Sequence, residues 1–171
     1  MILHPLIIHF PIVFLTLYCG MEVLMQFAWK NHPTALFIRK WSLWFGTLTV
    51  FLAIFTGKQA QEALGNFAII RFHESIAYVV NVVFVCISII YLIEVPTTPL
   101  TRKYLSKNLL EILPKISITL QRFRVTLILA IIGFLLIAAV WSVGASIRRG
   151  TDGDPIARFI IQTWGGSELY Q

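Results

Sequence analysis

The chain has 171 residues, 57% hydrophobic and 13% charged, with a mean hydropathy of +0.79 and a formal net charge of +6. About a quarter of an average soluble domain is charged, so this composition points to lipid as the solvent, with room for one helical bundle and no second sizeable domain. The Lys and Arg residues lie in the gaps between apolar runs instead of along one basic face, which speaks against nucleic acid and for membrane topology.

The first apolar run predicts a span over residues 6–28, near the 20 residues that cross a hydrocarbon core. The run is expected to be retained, because no basic segment precedes it and no small-residue cleavage site follows. Pro5 suits a first helical turn, with His4 near the N-cap. Pro11 lies about two turns in, opposes the carbonyl of Ile7 and is expected to bend the helix. Glu22, near the far end of this span, reads as an interfacial residue within reach of headgroups or a basic partner, and His32 before Pro33 as a solvated loop residue.

Residues 29–40 read as a polar link, and 41–56 as a second span in which Gly46, Ala53 and Gly57 share one face open to close approach. Residues 58–71 form a second link, with Gly65 and Asn66 as its turn. The third span is placed at 72–93, opened by His73 and Glu74, with Asn81 deeper. A long basic connection follows, in which Leu109 to Leu120 is amphipathic enough to lie along the membrane surface, although Pro114 interrupts it. The fourth span is placed at 125–147, with Gly133 and Gly144 eleven apart on one face. Residues 148–171 form an extramembrane tail, whose 151–155 segment makes a turn and helix start. Its 156–164 segment would suit headgroups or a partner subunit. No internal repeat stands out.

The predicted fold is therefore all-α, a four-transmembrane-helix bundle over residues 1–147. The first and third links carry nine Lys and Arg, against five in the N-terminus, second link and tail together. That bias puts both termini on the outer side. His4, His9 and His73 then gather near the outer leaflet.

Ionisable side chains at membrane depth are functional suspects by default. His4 and His9 are five apart, about 140° beyond a full helical turn, and do not share a face. His9 and His73 can instead face each other from two helices, as a bis-imidazole b-type haem requires. Ala77 and the glycine face of the second span would give room, and Lys58 and Arg71 could pair with the propionates. Two other readings stay open: hydrogen-bonded packing histidines, or another metal. His4 could contact a propionate, cap its helix, or bind copper or zinc at the surface. Cys19 and Cys86 lie in separate apolar runs and make neither a disulfide nor a zinc pattern. No C-x-x-C-H occurs, so a covalent c-type haem is excluded.

His4-Pro5, His9-Phe10-Pro11-Ile12, Gly57 and His73 together resemble the DUF2231 family of prokaryotic predicted membrane proteins, over roughly residues 3–145. Relatives of that kind often carry an acidic residue shortly after the glycine, where this chain has Lys58 to Gln61. The resemblance implies a bacterial inner-membrane protein of about four spans and favours a redox role. The expectation is a subunit that relays electrons through one haem held by His9 and His73, between membrane quinol and an external cytochrome or a partner in a larger complex. No catalytic constellation is present, so the chain is not expected to be an enzyme alone. The rivals are a cofactor-free accessory subunit and a copper or zinc protein using His4 and His9.

Overall fold

In the computed structural model, residues 3–29, 32–64, 67–93, 106–122, 124–149 and 154–165 are described. The helices are α1 (Leu3–Ile7), α2 (His9–Phe27), α3 (Pro33–Leu64), α4 (Ala68–Ile93), α5 (Lys107–Arg122), α6 (Val125–Arg149) and α7 (Pro155–Ile160), followed by a π-helical turn, Ile161–Gly165. Four stretches are long and apolar enough to cross a membrane: His4–Phe27, Pro33–Glu62, Ala68–Leu92 and Val125–Ile147. The described residues contain no strand.

The bundle is apolar on its surface as well as in its core, and polar side chains of the spans are buried. Phe10, Val13, Leu48, Phe51, Val82 and Leu135 are all at least half exposed, whereas Glu22, Thr47, Ser88, Thr126, Ser142 and Ser146 are buried. Contiguous apolar surface on this scale is not tolerated facing water. Facing hydrocarbon it carries no cost, and the polar side chains then have to find partners within the bundle. The chain is built as an integral membrane protein.

The ends of the spans differ from the sequence expectation most in α3, and α4 begins at Ala68 where 72 was expected. α3 covers Pro33–Leu64, not 41–56. Pro33 takes the first helical position, where its missing N–H costs nothing. Beyond the apolar part, Gln59, Ala60, Gln61 and Glu62 are good helix formers. At 1.5 Å per residue the helix is about 48 Å long and outreaches a core of about 30 Å. Hydropathy measures the lipid-facing part of such a helix, not its length. The expected 65–66 turn lies outside the described residues, between α3 and α4.

The helical hydrogen-bond ladder is interrupted at Ile8, one turn before Pro11, while the backbone there stays right-handed helical at φ −61°, ψ −23°. Pro11 lacks the N–H that would meet the Ile7 carbonyl. Around the break the backbone bonds Ile8 N to His4 O at 3.1 Å and Ile12 N to Ile8 O at 3.4 Å. In α5 the helix continues through Pro114, against expectation. On an exposed helix, the carbonyl opposite a proline can turn toward solvent.

The four spans form two antiparallel hairpins. α2 packs mainly on α3 and α4 mainly on α6, while α2–α6 and α3–α4 contacts join the pairs. α2 and α4 therefore lie across the diagonal. Each hairpin closes on glycines. A Cβ at Gly46 would meet Leu15 and one at Gly57 would meet His4; in the second hairpin, one at Gly133 would meet Phe84 and one at Gly144 would meet His73.

These positions correspond. In the first helix of each hairpin, His4, Leu15 and Glu22 become His73, Phe84 and Tyr91 by a constant shift of 69 residues. In the second helix, Arg39, Gly46 and Gly57 become Thr126, Gly133 and Gly144 by a shift of 87. The two hairpins repeat one packing register, although the sequence shows no repeat. The shared feature is the spacing of a few contact residues, and the lipid-facing positions between them are free to vary.

Candidate functional site

The structure brings His4, not His9, to the interior beside His73. His9 is exposed, and its Nδ1 donates to the Pro5 carbonyl one turn back at 2.5 Å. The expected His9–His73 pair is therefore not formed. The reason is rotation of the first span: Pro11, Leu15, Tyr18, Glu22 and Met25 form its buried stripe, and residue 9 falls off that stripe. His4 lies seven residues before Pro11 and stays on it.

His4 contacts α3, with Nδ1 3.1 Å from Thr56 Oγ1. Thr56 gives its one hydroxyl hydrogen to the Leu52 carbonyl at 3.0 Å, with the Ala53 carbonyl at 3.2 Å. The Thr56 hydroxyl thus bridges the His4 ring and the carbonyls of its own helix. The ring lies against Gly57, where an added Cβ would come within 3.2 Å of Cε1.

His73 repeats this seat. Its ring lies against Gly144 of α6, with Cε1 2.9 Å from where a Cβ would stand. It lies within electrostatic reach of His4, and its Nδ1 is buried without a hydrogen-bond partner. Two imidazoles on diagonal helices thus occupy equivalent positions at one end of the bundle. The His4 ring meets Thr56, and the His73 ring has an unsatisfied buried nitrogen.

The surroundings of His73 are apolar. Ile76, Ala139 and Val143 form a cluster, with Phe72 and Ile160 packed against it. Ile160 comes from the tail, which folds back on its own bundle. Ser142 donates to Asp154 Oδ2 at 2.7 Å, and Asp154 Oδ1 accepts the N–H of Ile156 at 2.9 Å, capping α7. In the segment expected to suit headgroups or a partner subunit, Ile160 and Ile161 turn onto the bundle, while Ile156 and Phe159 stay exposed. Residues 151–153 of the expected turn lie outside the described residues.

The other expected site residues lie around the pair. Ala77 is half-buried one turn beyond His73. Lys58 is exposed, with Nζ 5.8 Å from the Tyr78 ring centre, and Arg71 is exposed at the start of α4, where its carbonyl accepts from Ser75. His32 is exposed beside Trp29, as expected of a solvated residue. His4 and His9 point different ways, so the arrangement needed for a copper or zinc site on that pair is not formed. Among the described residues, no three His, Cys, Asp or Glu side chains group as a metal site.

A second polar centre lies at the opposite end, around Glu22, which meets a basic partner and not solvent: it is 1% exposed. Its carboxylate accepts from Tyr91 at 2.8 Å and Arg39 at 3.3 Å on Oε2, and from Thr126 at 2.8 Å on Oε1. One donor comes from each of the other three spans. Arg39 also lies over the Tyr91 ring, 4.9 Å from its centre. Three donors surround one carboxylate, and the Arg39 guanidinium is one of them. Arg39 stood in an expected polar link and nothing about it alone marked a partner. The available signal was spacing: Glu22 is eighteen residues, five helical turns, from His4, and Tyr91 is eighteen from His73.

Comparison with known proteins yields no match among family models, curated proteins or solved structures. The resemblance to DUF2231 rests on its motif residues alone.

Proposed function

We propose that this chain is an electron-relaying subunit of a membrane redox complex, holding one b-type haem between His4 and His73 at the histidine end. The observation that carries the reading is the equivalent placement of these two imidazoles on diagonal helices. Such a pair supplies both axial ligands of one haem. When bound, the haem would supply one-electron transfer between its ferric and ferrous states.

The protein residues have separate tasks in this reading. Thr56 holds the rotation of the His4 ring. Gly57 and Gly144 let the rings lie against helix backbones. Phe72, Ile76, Val143 and Ile160 exclude water from the His73 side. Lys58 and Arg71, exposed near the same end, are placed to meet carboxylates at the surface. His4 and His73 would hold the haem from two helices and would suit it to relaying electrons, so that the chain would not act as an enzyme alone.

The loop-charge bias orients the histidine end outward, across a bacterial inner membrane. Its electron partners are then membrane quinol and an external cytochrome or neighbouring subunit. The test is a reduced-minus-oxidised visible spectrum of protein purified from cells with ample haem supply. A sharp low-spin b-type α-band at one haem per chain is the expected result. A colourless protein would replace this reading with that of a cofactor-free accessory subunit.

A further inference from the structure

α5 connects the glutamate ends of α4 and α6, packing against both, and is not one of the spans. Its apolar stripe is uncovered: Leu109, Ile112 and Ile116 are 45%, 50% and 42% exposed, spaced three and four apart on one face. Beside the stripe runs a shallow groove of about 250 Å³, lined by Ile112, Lys115, Ile116, Thr119 and Leu120. Lys115 stands exposed at this groove. The chain around it is strongly basic, with six Lys and Arg between residues 102 and 124 against the single acid Glu111.

These features fit a single occupant. α5 ends two residues before α6, which is entered through left-handed Arg124 at φ 52°, and Val125 begins a membrane span. The helix is therefore tethered at the edge of the bilayer, where the nearest apolar partner is the leaflet itself. An apolar stripe with Lys115 beside it matches acyl chain below and anionic headgroup above. We propose that α5 lies in the headgroup layer and that its groove binds an anionic phospholipid, with the phosphate on Lys115 and an acyl chain along Ile112, Ile116 and Leu120. The inference needs the bilayer but not the haem.

The full chain with Ile112→Cys, in a Cys19→Ala, Cys86→Ala background, is labelled with bimane and placed in phosphatidylcholine vesicles. Brominated phosphatidylglycerol or brominated phosphatidylcholine is then titrated in at equal mole fraction, and quenching is measured. One lysine near an anionic surface contributes about 1 kcal/mol, so quenching should favour phosphatidylglycerol about fivefold. Lys115→Glu should abolish that preference while quenching by phosphatidylcholine persists. Quenching by neither lipid would show that α5 stands off the membrane and would overturn the proposal. Equal quenching by both in the Lys115 protein, or a preference that survives Lys115→Glu, would overturn the phospholipid site.

Discussion

A methyl group at Gly144 would stand 2.9 Å from Cε1 of His73, and one at Gly57 would stand 3.2 Å from Cε1 of His4. Contacts that short require the imidazole or the helix to move. Gly144→Ala should therefore displace His73 and reduce haem content several-fold, and Gly57→Ala should act in the same direction less strongly. Gly20 gives the contrast, since a Cβ there meets nothing within 4 Å. Gly20→Ala should leave haem content unchanged and raise helix stability by up to about 1 kcal/mol. Haem per chain and the unfolding midpoint, measured on the same preparations, check all three substitutions. At this scale the sequence was partly legible. It marked His73 and the roomy glycine face of the second span, but paired His73 with His9 and left His4 in a lesser role. In an apolar span, hydropathy is high on every face and does not reveal which face turns inward. The polar spacing of His4, Tyr18 and Glu22 does.

Glu22 binds one residue from each neighbouring span, so the glutamate end behaves as a clamp among elements. Removing one partner of a buried ion pair leaves the other uncompensated. Glu22→Ala should destabilise the bundle by about 3 kcal/mol or more. Tyr91→Phe and Thr126→Val each remove one interhelical hydrogen bond and should cost about 0.6–1.7 kcal/mol. The double variant should fall short of the sum, because both donors share one carboxylate. Reversible unfolding in mixed micelles would measure each value. Number and approximate position of the spans were legible because lipid exposure demands long apolar runs. The clamp was not, because its members are scattered over residues 22 to 126 and only tertiary packing brings them together.

At the scale of the whole molecule, two like hairpins each contribute one imidazole. Fragments 1–66 and 67–171, cut between α3 and α4, should reassemble when co-expressed, because each is a closed antiparallel pair with its own glycine contacts. Haem should bind the reassembled protein and neither fragment alone, as read by co-purification and visible absorbance. Binding by a single fragment would contradict a site shared between hairpins. The architecture of four spans followed from composition, whereas the repeat of packing register did not. It resides in constant shifts at a few contact residues and not in similarity of the sequence between them.

The most direct test of the account compares haem content and α-band intensity in His4→Ala, His9→Ala and His73→Ala. The structure places His4 and His73 inside, at equivalent positions, and His9 on the exposed face. The account predicts that His4→Ala and His73→Ala lose the low-spin band while His9→Ala keeps it. A band lost in His9→Ala and retained in His4→Ala would contradict it.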